Sequence, residues 1–116
     1  MSVNIKNIQK QLSDFADERD WDQFHNPKNL VMALSVEASE LVEIFQWLTP
    51  EQAEAIMSSS ENEHVKEEMA DIMIYLIRMA DKLNVDLGSA VDDKIIKNGK
   101  RYPVSLSKGN AKKITI

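Results

Sequence analysis

The sequence predicts an all-α fold, a four-helix bundle completed by homo-oligomerisation, and three observations favour this prediction. The length of 116 residues suits one domain, which would bury about 65% of the surface of its unfolded chain. With only three glycines and three prolines, the chain is poorly supplied for hairpin turns. Apolar residues recur at helical spacing, and thin bundles rich in Met and Ile often complete their core with a second copy.

The first half of the chain predicts two helices. An amphipathic helix is expected over residues 3–19, where four apolar residues recur at steps of three and four. These residues are Ile5, Ile8, Leu12 and Phe15. The stretch DWDQFHNP at 20–27 interrupts the pattern. A second helix should start at Pro27, with Asn26 as its N-cap, and run to the stop signal at Thr49-Pro50.

The second half predicts two further helices. Residues 50–60 suit a short helix or turn followed by a polar connector, and a third helix should start near Glu61. Its apolar stripe consists of Val65, Met69, Ile72, Met73, Leu76, Ala80 and Leu83. Asp86 is the expected N-cap of a fourth helix, which Pro103 closes. The segment after Pro103 has weak periodicity and is expected to be extended or irregular.

The predicted domain organisation is a single helical domain over residues 1–103 and a basic C-terminal tail over 104–116. The net charge is −5, but residues 94–116 carry seven Lys or Arg and no acid, whereas residues 1–93 carry seven bases and nineteen acids. An acidic site beside a basic segment can hold a divalent metal together with a phosphate ligand.

Several classes of function are excluded or disfavoured by the composition. Without cysteine the chain has no disulfide framework, thiolate metal site or cysteine nucleophile. No apolar run approaches the ~18–20 residues of a membrane span, and the first ten residues lack the apolar block of a secretory signal. We therefore expect a cytoplasmic protein without a membrane partner. The basic tail lacks the aromatic and basic pattern of nucleic-acid readers, so no nucleic-acid partner is expected.

One glutamate of the stretch SVEASELVE (35–43) falls where a core residue is expected. At about 100° per residue, Glu37 lies within the apolar stripe of the second helix, and Glu40 lies at its border. A carboxylate buried alone costs several kcal/mol or shifts its pKa until it is neutral. Glu37 therefore needs a partner, which could be a base or a metal.

The third helix offers a second acidic pair, Glu68 and Asp71. Two neighbouring helices that each carry acids at i and i+3 can direct four carboxylates into one gap, where cations would stabilise them. An all-oxygen set suits Mg²⁺ or Mn²⁺, and His25 and His64 do not have the offsets of a di-iron motif. A solvated acidic face and a buried salt bridge to Lys or Arg remain alternatives.

Three segments resemble a known family: EASE on the second helix, EEMADIMIYLIRMADKLNVDL on the third, and KNGKRYPVSLSKGNAKK after the fourth. Together they are similar to the all-α nucleoside triphosphate pyrophosphohydrolases of the MazG type, and most similar to the dCTP pyrophosphatase branch. The resemblance covers roughly residues 21–113. It depends on the joint presence of the ExxE and ExxD pairs and the RYPVxLSxG segment.

The resemblance implies a Mg²⁺-dependent enzyme, with Mn²⁺ as an alternative ion, that converts a deoxynucleoside triphosphate to the monophosphate and pyrophosphate. By motif position, the metal-binding and catalytic residues would be Glu37, Glu40, Glu68 and Asp71. The substrate would be dCTP or a related or modified deoxynucleotide, and the role would be cleaning of the nucleotide pool. A homo-oligomer, either a dimer or a tetramer built as a dimer of dimers, is expected.

The resemblance also implies substrate-binding residues. Trp21 and Trp47 would flank the base, His25 would contact base or sugar, and Tyr75 would stack against the deoxyribose. Lys94, Asn98 and Arg101 recur at steps of four and three on the fourth helix and can face the phosphates together. Each has a structural alternative: packing for the aromatic residues, a local hydrogen bond for the histidine, and a solvated basic face for the helix.

The sequence leaves open the substrate, the enzymatic role itself and the full set of acids at the site. Hydrolysis of dUTP or of oxidised purine nucleotides would use the same chemistry. A non-enzymatic helical interaction module, whose acids pair with bases at a subunit interface, would share the same stripe. Glu43 and Glu67 lie close enough to the four acids to assist them.

Overall fold

Helices account for the regular structure of residues 2–114, which are the residues that the computed structural model describes. The α-helices are α1 (Ile5–Glu18), α2 (Pro27–Phe45), α3 (Pro50–Glu54), α4 (Asn62–Lys82), α5 (Leu87–Arg101) and α6 (Val104–Ser107). Two 3-10 turns, Asp22–Phe24 and Ile56–Ser58, lie between them. Residues 2–114 contain no β-strand, so the all-α prediction is confirmed.

Polar side chains fix the starts of the helices. The carboxamide oxygen of Asn26 accepts from the backbone N–H of Asn29 at 2.9 Å, and the carboxylate of Asp86 accepts from Ser89 at 3.0 Å. Such caps satisfy N–H groups that have no partner inside the helix. Both predicted N-caps are therefore confirmed. Asn4 caps α1 in the same way.

Two predictions about helix ends are wrong. Helix α2 ends at Phe45, before Thr49-Pro50, because Thr49 forms a capping box with Gln52 that starts the separate helix α3. The segment after Pro103 is not irregular throughout, since Val104–Ser107 forms a helical turn. The Pro103 carbonyl accepts the N–H groups of both Leu106 and Ser107 at 3.0 Å, and this starts the turn.

Helix α4 is the centre of the packing, with α2 and α1 against it. The buried apolar side chains among the described residues are Ala16, Leu30, Ile56, Val65, Ile77 and Ala80. Leu30 and Ile77 are the largest of those that are fully buried. Within residues 2–114, no helix has both the length and the apolar character that crossing a membrane requires.

The contacts divide the chain into two compact units, one ending at Asn84 and one starting at Val85. The first contains α1 to α4, and the second contains α5 and α6. At the boundary, Asn84 has a positive φ of 55°, which asparagine tolerates better than most residues and which ends α4. The division at residue 103 that the sequence indicates stays a prediction.

Candidate metal centre and aromatic cavity

Three carboxylates meet between α2 and α4. Glu37 and Glu40 lie one turn apart on α2, and Glu68 lies on α4. One oxygen atom from each lies within 4.8 Å of the others. The inward position predicted for Glu37 is thus explained by its neighbours, since it faces two further acids instead of apolar side chains.

The innermost carboxylate oxygens of this cluster have no partner within residues 2–114. Oε2 of Glu37 and Oε2 of Glu68 are both buried without a hydrogen bond. Glu68 as a whole is 7% exposed, and Nε2 of His64 lies 3.5 Å from its other oxygen. No Lys or Arg of the described residues forms an ion pair with any of the three acids. The buried salt bridge to Lys or Arg is therefore absent from this part of the chain.

The crowding of carboxylates changes their acidity. The carboxyl group of Glu68, which would accept a hydrogen bond from Glu37 once Glu37 is protonated, raises the pKa of Glu37 to about 7. Burial and the neighbouring Glu40 act in the same direction. Near neutral pH the cluster therefore holds a proton or needs another positive charge.

A hard divalent cation fits this arrangement. The donors are carboxylate oxygens from two helices, and two of those oxygens are buried without a partner. Oxygen-only sets are typical of Mg²⁺ and Mn²⁺. His64 does not add an unengaged nitrogen, because its Nδ1 lies 3.0 Å from Glu61 and its Nε2 faces Glu68.

A cavity of about 360 Å³ in the first unit has mainly aromatic and apolar walls. Its lining residues are Leu12, Phe15, Trp21, His25, Asp71, Ile74, Tyr75 and Arg78. The ring of Trp21 makes edge contacts with Phe15 and His25, at centroid distances of 5.8 and 6.4 Å. Cavities of this size with a few polar groups commonly take small ligands, and flat rings suit aromatic walls.

Tyr75 shows that the cavity and the carboxylates are neighbours. Its phenol is half-buried, and this burial, with the charges of Glu37 and Asp71, raises its pKa above the ordinary value of 10. The phenol therefore stays protonated near neutral pH. Asp71 is not one of the three clustered acids, but it lines the cavity one turn beyond Glu68.

The remaining predicted site residues lie elsewhere. Trp47 is 86% exposed and does not line the cavity. In the second unit Lys94, Asn98 and Arg101 line one shallow surface depression together with Lys97 and Lys100. Arg101 also donates from Nε to the carbonyl of Ile114. These three residues, which the sequence places on one face of the fourth helix, thus lie side by side in the second unit. Glu43 and Glu67 are exposed.

The structure adds a polar group that the sequence did not indicate. Arg78 is 4% exposed and donates to Asp22 at 2.8 Å and to His25 at 3.3 Å. Lys82 also pairs with Asp22. One signal was present in the sequence: Arg78 interrupts the apolar run of α4 seven residues after Asp71, and hence on the same face.

The fold and the site together define a helical protein in which a carboxylate cluster that suits a divalent cation lies beside a cavity with aromatic walls. The MazG-like family model matches residues 32–115. The chain belongs to the MazG-like family.

Named relatives agree with this assignment. The chain is 45% identical to dCTP pyrophosphatase 1 of Bos taurus and 41% identical to that of Homo sapiens, each over 112 residues and 96% of this chain. The match spans 66% of the length of those relatives. The crystal structure of a pyrophosphatase from Archaeoglobus fulgidus has a TM-score of 0.80 and 35% identity, covering 89% of this chain and 95% of that one.

Proposed function

We propose that this chain is a divalent-metal-dependent nucleoside triphosphate pyrophosphohydrolase that converts a deoxynucleoside triphosphate to the monophosphate and pyrophosphate. The observation that carries the proposal is the cluster of Glu37, Glu40 and Glu68, with two buried unpaired oxygens beside an aromatic cavity. The names of the relatives, dCTP pyrophosphatase 1 and a pyrophosphatase, support the same class of reaction.

In this proposal Glu37, Glu40 and Glu68 hold Mg²⁺, with Mn²⁺ able to substitute, and Asp71 joins them from the next turn of α4. When bound, the ion would offset the negative charge of the triphosphate and acidify the attacking water. The protein would position the triphosphate relative to the ion. Asp71 and Tyr75 line the cavity beside the cluster, so a base in the cavity would place its phosphates towards the acids.

We propose that the preferred base is a pyrimidine such as that of dCTP, which the names of the relatives support. Trp21 offers an aromatic wall and Tyr75 a second one, and stacking on such walls is favourable for any flat base. The choice among cytosine, modified cytosine, uracil and an oxidised purine then depends on polar contacts at the rim of the ring. Trp47 is proposed as a further base contact, and Lys94, Asn98 and Arg101 are proposed to bind the triphosphate.

We also propose that the protein works as a homo-oligomer, a dimer or a dimer of dimers. Large apolar side chains are exposed on α2 and α4, including Met32 at 59%, Val42 at 62% and Met69 at 58%. A surface of this kind favours burial against another chain. Light scattering after size exclusion at micromolar concentration tests this, and a monomer at that concentration would contradict it.

The decisive measurement for activity is incubation of the purified protein with each dNTP and Mg²⁺. We expect dNMP and pyrophosphate as products, with dCTP or a 5-substituted analogue turned over best. Glu37→Gln should abolish turnover while the fold is retained. The matched control is Glu63→Gln, an exposed acid of α4 that pairs with Lys66 outside the cluster, and it should keep full activity.

A calorimetric titration with Mg²⁺ distinguishes the enzyme from a non-enzymatic interaction module. An interaction module predicts no heat of Mg²⁺ binding in a calorimetric titration of either the wild type or Glu37→Gln, and a change only in oligomer stability. Release of orthophosphate alone, or no turnover with any nucleotide, would contradict the proposed function. Loss of turnover in Glu43→Gln or Glu67→Gln would instead add that acid to the site.

A further inference from the structure

We propose that Arg78 is a positioning residue that holds His25 as the tautomer with its proton on Nε2, so that the aromatic cavity presents one fixed hydrogen-bond donor to a bound ring. The ligand part of this proposal rests on the proposed function. The tautomer part concerns the protein without ligand and can be tested alone.

The geometry at His25 determines which ring nitrogen accepts. Nε of Arg78 lies 3.3 Å from Nδ1 of His25. A guanidinium keeps its protons at any ordinary pH and can only donate, so Nδ1 must accept. A neutral imidazole that accepts at Nδ1 carries its proton on Nε2. Nε2 makes no hydrogen bond within residues 2–114 and is left for a ligand.

Arg78 is itself held firmly. It is 4% exposed, donates from Nη2 to Asp22 at 2.8 Å, and lies 3.7 Å from the carboxylate of Asp81. Asp22 begins the 3-10 turn that leads directly to His25, and Lys82 binds the same carboxylate. Charge-assisted bonds to a rigid planar fork fix direction as well as distance. The loop that carries His25 is therefore anchored to α4 at two neighbouring positions.

The surrounding charges keep the ring neutral. Burial, followed by the positive charges of Arg78 and Lys82 on α4, lowers the pKa of His25 below 6.5, and the Asp22 carboxylate on its own loop opposes them. A second proton would have to enter at Nδ1, where Arg78 already donates. At neutral pH the ring is thus a donor through Nε2.

A fixed donor gives the cavity chemical selectivity that its aromatic walls lack. His25, Trp21 and Tyr75 all line the same cavity. A flat ring that stacks there and offers a carbonyl oxygen or a ring nitrogen to Nε2 gains a hydrogen bond. A ring that offers an N–H at that place leaves two donors facing each other, which polar sites reject strongly. The class of ligand is an aromatic ring with an acceptor on its edge.

The tautomer can be determined directly by ¹⁵N-edited NMR of the imidazoles in the metal-free protein with residues 1–116. The chain has two histidines, so a His64→Gln variant assigns both signals. We expect His25 of the wild type to show the neutral Nε2–H tautomer at pH 7. Nδ1–H, a tautomer mixture or a charged ring in the wild type would overturn the proposal, even if every variant failed to fold.

Two variants test whether Arg78 is the cause. Arg78→Met should give a mixture of tautomers and a pKa of His25 closer to 6.5. The matched control Lys82→Met removes the other cation on Asp22 but no bond to His25, and it should keep the Nε2–H tautomer. An unchanged tautomer in a folded Arg78→Met protein, or the same change in both variants, would overturn the role of Arg78.

Steady-state kinetics with dCTP test the ligand part. Because a ligand that needs Nε2–H selects that tautomer from the mixture, KM in Arg78→Met should rise in proportion to the fraction of Nε2–H that is lost, about twofold for an even mixture, with kcat nearly unchanged. If the wild type hydrolyses dCTP and the variant shows the altered tautomer with an unchanged KM, the ligand part is wrong. If the wild type hydrolyses no nucleotide, the proposed function fails, while the NMR result still decides the tautomer.

Discussion

Replacing Glu37 by glutamine should stabilise the metal-free protein at alkaline pH. The pKa of Glu37 is about 7 in the folded chain against an ordinary value of 4.5. The folded state therefore binds more protons than the unfolded state between these values, and stability is lost as the pH rises through this window. Since each tenfold change in proton affinity is worth about 1.36 kcal/mol, the loss above pH 7 approaches about 3 kcal/mol.

Glutamine keeps the shape of the side chain and removes this penalty. Because Glu37 is partly exposed and shares its proton with its neighbours, we expect a gain of about 2 kcal/mol at pH 8 and under about 1 kcal/mol at pH 5. Urea unfolding followed by circular dichroism, with a chelator and at one protein concentration, measures the difference. Glu43→Gln, an exposed acid on the same helix, should change stability little at either pH.

Magnesium should reverse the order of the two proteins, because ion binding stabilises the wild type and not the variant. Two results would refute the reasoning. Lower stability of Glu37→Gln at pH 8 would show that the carboxylate has a favourable partner. An equal gain at pH 5 and pH 8 would show that the effect of the substitution is unrelated to ionisation.

Three further outcomes are expected. Leu30→Ala should lower the free energy of unfolding by about 2–5 kcal/mol, because this side chain is 1% exposed between packed helices; a loss under 1 kcal/mol in chemical denaturation would contradict this packing. Asn26→Ala removes the N-cap of α2 and should cost about 1 kcal/mol in the same assay, and no change would mean that the cap is not formed in solution. Chelation should stop nucleotide hydrolysis, with recovery on adding Mg²⁺ or Mn²⁺ in a pyrophosphate-release assay; full activity in excess chelator would exclude the carboxylate cluster as the catalytic metal site.

Features set by neighbours along the chain could be predicted from the sequence. The N-caps at Asn26 and Asp86 depend on residues three positions away, and the inward direction of Glu37 follows from the period of the helix. The prediction that α2 continues to Thr49-Pro50 is wrong, because the capping box of Thr49 with Gln52 competes with continuation of the helix. The turn after Pro103 depends on two backbone hydrogen bonds that no hydrophobic period reveals.

The polar group around Arg78 could not be predicted in the same way. Its partners His25 and Asp22 lie 53 and 56 residues away in the sequence, so their meeting depends on how a loop packs against α4. The sequence shows only that a charged residue interrupts an apolar run. Whether such a residue finds a partner within the chain is a property of the folded structure.

Glu37 and Arg78 show why it matters for function whether a buried charged residue has a partner within the chain. Both are charged residues on inward faces of packed helices, but Arg78 binds Asp22 and His25, whereas Glu37 and Glu68 bury oxygens without a partner among residues 2–114. A buried charge with internal partners fixes the structure around it, and one without them favours binding of an external ion. Because the apolar core of the described residues is small, an ion at the acids should supply a large share of the stability: about 2.7 kcal/mol when its concentration is 100 times Kd. The acids that destabilise the empty protein are then the residues that couple its folding to its ligand.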